Sequence, residues 1–226
     1  MSSKRYRKNQ ETIEKGRVYT LDEALDTLKK LSQAKFDESV EAHFKLGIDP
    51  KKTEQQVRGM ADLPFGTGKS IKIAVFSGDL AEVEKARALG VSQAGGEELI
   101  NQIKAKGEID FDIAVATPDI MAKMAQIAKV LGPRGLMPNP KNETVTKDVK
   151  KTVEALKKGK INFKNDKGGN IHALFGKLSF ETASLKENYN ALEESLKKAK
   201  PATVKGSFIQ SISISSTMGA GIKIQK

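Results

Sequence analysis

The strands expected in the middle of the chain differ in pattern from those expected at its two ends, and this difference constrains the fold most. Residues 71–76 form a nearly continuous apolar run, residues 109–115 form a second candidate strand, and helix signals follow both. Buried strands that alternate with helices are typical of parallel βαβ units. We therefore predict a Rossmann-like α/β domain for residues 67–158.

The strands expected near both ends alternate instead between apolar and polar residues. Residues 40–48, 171–180 and 208–215 all show this pattern, which favours an antiparallel sheet with one wet face. The alternation slips by one residue at Gly176, which predicts a β-bulge. The expected fold class is thus α/β and α+β with two domains. Residues 1–66 and 159–226 form a discontinuous α+β sandwich domain, and the Rossmann-like α/β domain is inserted into it.

Helix signals accompany both kinds of strand. Thr20 with Glu23 and Ser184 with Glu187 have the spacing of capping boxes, so we expect a helix to begin at each pair. One longer helix is expected after Pro118, because four apolar residues follow it at spacings of four, three and four. These residues are Ile120, Met124, Ile127 and Leu131.

The composition excludes several kinds of chemistry. The chain has no Cys and two His, so thiol catalysis, disulfides, Cys-ligated zinc and three-His metal sites lack their residues. We expect no metal and no cofactor. The 39 basic and 28 acidic side chains give a net charge of +11, which leaves nucleic acid, an anionic membrane, an acidic protein or a solvated basic surface as alternatives. Residues 159–226 carry 11 basic and 5 acidic side chains, so the excess is concentrated there.

No apolar stretch of the sequence suggests a membrane segment. The amino-terminal residues are basic but lack the apolar core of a secretory signal. No window approaches the roughly 18 apolar residues that a membrane span needs. We therefore expect a cytoplasmic protein without a membrane partner.

Two loops suggest possible sites in or beside the middle domain. Residues 66–70 read Gly-Thr-Gly-Lys-Ser, but Leu63 stands where a phosphate-binding loop needs Gly, and the segment leads into a strand. The segment nevertheless leaves one alternative function open, that of an α/β nucleotide-binding enzyme using the middle domain. Residues 132–140 hold three of the seven prolines, with the cation Arg134 near the tip of the loop.

Polar residues line the wet faces of the terminal strands. Ser39, Glu41, His43 and Lys45 share one face, and Ser211, Ser213, Ser215 and Thr217 form a hydroxyl stripe on another. If these strands belong to one sheet, their faces merge into a polar platform near a tight turn at 165–170. Hydroxyl groups can form hydrogen bonds with phosphates and ribose 2′-hydroxyls, so the platform could bind nucleic acid. The alternative interpretation is an ordinary solvated sheet face.

Several motifs resemble the L1 family of large-subunit ribosomal proteins, of the bacterial type. They include Phe-Asp-Glu-Ser-Val-Glu at 36–41, Gly-Pro-Arg-Gly-Leu-Met-Pro at 132–138 and Ser-Thr-Met-Gly at 216–219. The resemblance runs in order over nearly the whole chain. It implies a two-domain protein, not an enzyme, that binds large-subunit ribosomal RNA in the mobile stalk beside the tRNA exit site. It also implies a translational repressor that binds the messenger RNA of its own operon, and a monomer when free.

The resemblance also implies particular contact residues. The RNA-contact positions are Phe36, Ser39, Glu41, Asp166, Lys167, Gly168, Ser211, Thr217, Met218 and Gly219, with Lys35, Lys45 and His172 as neighbours. In the inserted domain, Arg134 is the candidate for contact with exit-site tRNA or the stalk. The sequence departs from the family at Ala220, where a proline usually follows the Thr-Met-Gly motif.

Overall fold

The computed structural model describes residues 9, 12–14, 16–107, 109–140 and 143–225. The strands are β1 (Ser39–Leu46), β2 (Arg58–Asp62), β3 (Ile73–Phe76), β4 (Gln93–Gly95), β5 (Ile113–Ala116), β6 (Lys160–Lys164), β7 (Asn170–Lys177), β8 (Ile209–Ser216) and β9 (Ile222–Ile224). The α-helices are α1 (Leu21–Leu31), α2 (Leu80–Ala88), α3 (Glu97–Lys106), α4 (Met121–Met124), α5 (Ala128–Leu131), α6 (Val149–Lys158) and α7 (Thr182–Lys198). Short 3₁₀ turns lie at Thr53–Gln55, Pro118–Ile120 and Ala125–Ile127.

The chain divides into two units, which confirms the expected fold class. Unit 1 consists of residues 1–68 and 159–226, and unit 2 consists of residues 69–158. Unit 1 mixes antiparallel sheet with helices, and unit 2 is built on parallel strands. No helix within the described residues is long and apolar enough to cross a membrane.

Unit 1 is centred on a four-stranded antiparallel sheet in the order β7-β1-β8-β9. Helices α1 and α7 cover one face of this sheet, because the apolar residues of the alternating strands all point there. In β1 these residues are Val40, Ala42, Phe44 and Leu46, all of them buried. A separate two-stranded sheet of β2 and β6 adds Ala61 and Phe163 to the same core.

One buried amide ties α7 to two other parts of unit 1. Asn188 is fully buried, and its Oδ1 accepts a hydrogen bond from the Phe65 backbone N–H at 3.0 Å. Its Nδ2 donates to the backbone oxygens of Gly66 and Phe175, each at 2.9 Å. A buried polar side chain is tolerated when its hydrogen bonds are made, and here three backbone groups depend on it.

The predicted bulge is confirmed between β1 and β7. Val40 lies opposite Gly176 and Glu41 lies opposite Leu174, so Phe175 is the additional residue. Phe175 and Gly176 are consecutive buried residues, as the slip in alternation requires. A Cβ on Gly176 would lie 2.5 Å from Leu185 Cδ2, so the glycine allows α7 to pack closely against the sheet.

Unit 2 is a three-stranded parallel sheet in the order β4-β3-β5. The central strand β3 is buried at all four positions, as expected for a strand with covered faces. Ile73 and Val75 pack with α6 on one side, while Ala74 and Phe76 pack with α3 and residues 120–131 on the other. Unit 2 therefore has the layers of a Rossmann-like arrangement.

The single helix expected after Pro118 is wrong in one respect. All four of its spaced apolar residues are buried, but 3₁₀ turns interrupt the segment, leaving the short helices α4 and α5. Side chains three residues apart share a face in both kinds of helix, so the apolar spacing predicts the buried side and not the hydrogen-bond pattern.

The chain leaves and re-enters unit 1 at adjacent glycines. Gly66 has a φ of +66° and Gly159 a φ of +118°, conformations that glycine adopts without strain. The backbone N–H of Leu63 donates to the oxygen of Gly159 at 3.4 Å. A Cβ at Gly159 would collide with the Cα of Gly66, so these two backbone segments approach more closely than other residues would permit.

Candidate nucleic-acid interface

The face of the four-stranded sheet that α1 and α7 leave uncovered carries the polar residues of β1, β7 and β8. Glu41 lies opposite Ser215, His43 opposite Ser213 and Lys45 opposite Ser211, and His43 also lies opposite His172 of β7. We call this surface the open face. The strands share one sheet, so the expectation of a single polar platform is confirmed.

The Thr-Met-Gly segment at one end of the open face is fixed by β1 and the residue before it. Thr217 donates its backbone N–H to the oxygen of Ser39 at 3.1 Å, and Thr217 Oγ1 accepts the backbone N–H of Ser39 at 3.0 Å. Glu38, which is 2% exposed, accepts the Met218 N–H through Oε2 at 2.9 Å and the Ser32 hydroxyl through Oε1 at 2.7 Å. The backbone at 217–219 is therefore ordered by contacts with residues about 180 positions earlier.

Two apolar side chains project from this end of unit 1. Phe36 is 55% exposed and Met218 is 49% exposed, although both are residues that proteins usually bury. The following Gly219 is close to Ser216, whose hydroxyl a Cβ would meet. An exposed Phe and Met beside hydroxyl groups can pack on the flat surface of a base or sugar.

Asp166 organises the turn between β6 and β7. Its Oδ1 accepts the backbone N–H groups of Gly168 at 2.8 Å and Asn170 at 2.7 Å, and its Oδ2 accepts the Asn170 amide at 3.0 Å. The bonds from Asn170 are the main reason that the pKa of Asp166 is lowered to about 2. Asp166 is therefore ionised at neutral pH and stabilises the turn, which leaves the carbonyl of Gly168 facing Lys45.

Basic side chains surround the open face. Lys45 Nζ donates to the Gly168 carbonyl at 2.5 Å, and Lys35 and Lys167 are exposed. Lys177 Nζ donates to Ser39 Oγ at 2.9 Å. These cations border the hydroxyl groups of the open face and attract phosphate groups.

His43 and His172 form a pair at the centre of the open face. Their Nδ1 atoms are 2.8 Å apart, and their rings meet edge to face with centroids separated by 5.0 Å. His43 Nε2 lies 2.9 Å from Ser215 Oγ, while His172 Nε2 lies 3.6 Å from Asp166 Oδ2. Partial burial lowers the pKa of His43, and the neighbouring His172 lowers it further.

The structure brings most of the proposed RNA-contact residues together in unit 1. The open face, its adjoining turn and the loop at its end hold Ser39, Glu41, Lys45, Asp166, Lys167, Gly168, His172, Ser211, Thr217, Met218 and Gly219. Lys35 and Phe36 are exposed just before β1. Arg134 is exposed in unit 2 and is not part of this face.

The comparisons with known proteins bear directly on this surface. The sequence profile of the Ribosomal protein L1p/L10e family matches residues 28–220, which include every candidate residue named above. The chain belongs to this family. The resemblance in the motifs is thereby confirmed.

Similar proteins from distant bacteria align over nearly the whole chain. The "Large ribosomal subunit protein uL1" of Mycoplasma capricolum is 50% identical over 224 residues, which cover 99% of this chain and 98% of the relative. That of Kosmotoga olearia is 49% identical and covers 98% of this chain and 95% of the relative. That of Shewanella piezotolerans is 48% identical and covers 99% of this chain and 95% of the relative.

Family membership also decides between a structural protein and the enzyme alternative. Proteins of this family are structural, and a chain so similar to them over its full length is not an enzyme. The glycines at 66 and 68 both have positive φ and form turns before β3 rather than a loop that opens a helix. A cavity of about 390 Å³ in unit 2 is lined by the three carboxylates of Glu97, Glu98 and Asp119 and by the two cations Arg87 and Lys123.

Four residues at or beside the open face were not among the predicted contacts. Glu38 binds the backbone of the loop at Met218, and Lys177 binds the hydroxyl of Ser39. His43 links β7 to β8 through its contacts with His172 and Ser215. Lys223 of β9 is exposed and lies opposite Ser213 of β8. The alternation Ile222-Lys223-Ile224 is the sequence signal that points to Lys223. The contacts of Glu38 and Lys177 join segments far apart in sequence, so no local pattern reveals them.

Proposed function

We propose that this chain is a structural protein of the large ribosomal subunit and binds large-subunit ribosomal RNA through the open face. The observation that supports this most is the convergence of hydroxyl and basic residues from three distant stretches on one sheet of an L1 family member. Exposed Phe36 and Met218 lie in the segments beside that sheet. The relatives are named as large-subunit proteins, which supports a ribosome-bound location in the cytoplasm for this chain. When free, the protein is a monomer.

The open face suits recognition of RNA shape more than base sequence. Ser211 and Thr217 offer hydroxyls to ribose and phosphate oxygens, while Phe36 and Met218 offer apolar surface to a sugar or base. Glu41 can accept a hydrogen bond from a 2′-hydroxyl or an exocyclic amine. The glycine at 219 leaves room for the hydroxyl of Ser216, so the loop that carries Thr217 and Met218 can close tightly at the end of the strand.

The lysines supply attraction that depends on salt. Lys35, Lys45 and Lys167 are the lysines among the predicted contacts and their neighbours, and each phosphate they neutralise releases a counterion. We expect the logarithm of the association constant to fall with the logarithm of salt concentration, with a slope of roughly −2 to −3 for three such contacts.

Two finer roles follow from the same proposal. The RNA is the mobile stalk beside the tRNA exit site, and the open face also binds the messenger RNA of the protein's own operon and represses its translation. One face cannot hold both RNAs, so a messenger fragment should compete with a stalk fragment for the protein. Exposed Arg134 of unit 2 is the candidate for contact with exit-site tRNA.

The decisive experiment is a filter-binding titration of the full chain with a stalk RNA fragment. Met218→Asp places a carboxylate in the fixed loop, where it would face RNA phosphates. We expect it to weaken binding by about 2 kcal/mol, or roughly 30-fold, with an unchanged melting temperature because Met218 is already exposed.

A matched pair of threonine variants tests the same surface more gently. Thr217→Val removes a hydroxyl beside the predicted RNA, and we expect it to weaken binding by about 1 kcal/mol. Thr27→Val makes the same substitution on α1, which covers the opposite face, and should leave affinity unchanged. Equal affinity for wild type, Met218→Asp and Thr217→Val would remove the loop from the binding site.

A further inference from the structure

A line of four polar groups crosses the open face from β8 to the turn before β7. It runs from Ser215 Oγ to His43, from His43 to His172, and from His172 to Asp166, with separations of 2.9, 2.8 and 3.6 Å. The four residues come from three separate parts of the chain. His43 is the member that joins the other two parts, because it alone contacts both Ser215 and His172 in this line.

When both imidazoles are neutral, the carboxylate of Asp166 favours one arrangement of protons along the line. Asp166 is ionised and can only accept, so the His172 Nε2–H points towards it and His172 Nδ1 becomes an acceptor. The His43 Nδ1–H then donates to His172 Nδ1, and His43 Nε2 accepts from the Ser215 hydroxyl. The neighbours of each imidazole thus favour one of its two tautomers.

One further proton has a defined place in this arrangement. It enters at His43 Nε2, and the Ser215 hydroxyl turns round to accept from it instead of donating. The positive charge is then stabilised by the line to Asp166, but partial burial of His43 and the neighbouring His172 oppose it in the free protein. A negative charge arriving on the open face would offset that opposition through its attraction for the imidazolium.

The charges around the pair are few and nearly balanced. On β1 they are Glu41 and Lys45, two residues to either side of His43. In the turn they are Asp166 and Lys167. Strand β8 presents only Ser211, Ser213 and Ser215, and Lys223 lies on β9 opposite Ser213. A bound phosphate therefore changes the local potential substantially.

We propose that His43 is a positioning residue of the RNA-binding face, which holds His172 and Ser215 in place and takes up a proton when an RNA phosphate binds beside it. The proposal rests on the RNA-binding function proposed above. A complex that binds more protons than the free protein becomes tighter as pH falls. The stability of the free protein changes with pH in the opposite direction and decreases as pH falls. Because the pKa of His43 is lowered in the fold, its contribution is present above the ordinary value of 6.5 and is lost as pH falls through the lowered value.

The test measures affinity of the full chain for a stalk RNA fragment between pH 5.5 and 8. For the wild type we expect binding to tighten by roughly five-fold over this range, since one proton gives at most ten-fold per pH unit. In His43→Gln the side-chain amide keeps hydrogen bonding but cannot titrate, so the change should be under about two-fold. At pH 8, His43→Val should bind more weakly than His43→Gln, because His172 and Ser215 then have no hydrogen-bonding partner at position 43.

Two controls keep the outcomes separate. Lys167→Gln should weaken binding by a similar factor at every pH, because lysine stays charged throughout. Titration of the His43 ring followed by NMR should show a higher pKa with RNA bound than without. An equal pH slope in the wild type and His43→Gln, with RNA still bound, would overturn the proposal for His43 alone. No binding at any pH would overturn the RNA-binding function itself.

Discussion

The sheets of the two units bury their strands in different ways, and the difference explains which unit offers a surface to a large ligand. In unit 2, β3 is buried at every position because helical layers cover both faces of the parallel sheet. In unit 1, β1 alternates between buried and half-buried residues because helices cover only one face. A strand with two covered faces contributes only stability, whereas one open face is free to carry recognition.

The comparison predicts that core mutations in unit 2 lower the stability of that unit without changing the affinity of the protein for RNA. Phe76→Ala should lower the free energy of unfolding of unit 2 by about 3–5 kcal/mol, because Phe76 is fully buried at the centre of its core. Hydrogen exchange of peptides from residues 73–131 measures this loss. RNA affinity of the folded protein should remain at the wild-type value, and a drop as large as that of Met218→Asp would show that unit 2 shares in binding.

In unit 1, the covered side depends on the buried amide of α7. Asn188→Leu should destabilise the unit by about 3 kcal/mol, since it leaves the Phe65 N–H and the carbonyls of Gly66 and Phe175 without their partner. Asn190→Leu is the matched control, because Asn190 is exposed on the same helix. Thermal unfolding of both variants should separate them, and similar melting temperatures would contradict the structural role of Asn188.

The last comparison lies within a single strand and includes the smallest expected effect, that of Ser211→Ala. Ile212 and Ser211 are neighbours on β8, one buried under the helices and the other on the open face. Ile212→Ala should cost about 2–4 kcal/mol of stability and leave RNA affinity intact. Ser211→Ala should change stability by less than about 0.5 kcal/mol and weaken RNA binding by about 1 kcal/mol. Denaturant unfolding measures the change in stability, and filter binding measures the change in RNA affinity. A loss of affinity in Ile212→Ala, or a large loss of stability in Ser211→Ala, would contradict this division.

The two capping boxes show how far local sequence predicts helices. Thr20 and Glu23 form theirs, with the Glu23 carboxylate accepting the Thr20 N–H at 3.0 Å. The box expected at Ser184 and Glu187 is wrong, because α7 already begins at Thr182 with Glu181 as its N-cap. The residues of both pairs have the same spacing, so it is the packing of the surrounding chain that decides where a helix starts.

The open face was predictable in its composition but not in its connections. Alternation along β1 and β8 identified the polar side of each strand, and the motifs of the L1 family identified the loop at 217–219. Strand register was not predictable, because it depends on pairing between residues more than 100 positions apart. The contact of His43 with His172 and that of Glu38 with Met218 follow from that register alone.

The adjacent glycines at 66 and 159 make the inserted segment a unit that can be replaced as a whole. Residues 69–158 begin and end at neighbouring points of the unit 1 backbone, so a turn of a few residues suffices to join the two flanks without them. Insertion at such a point leaves the order of strands in the host sheet unchanged. A protein engineer could therefore exchange the second unit for another folded domain and keep the host sheet intact.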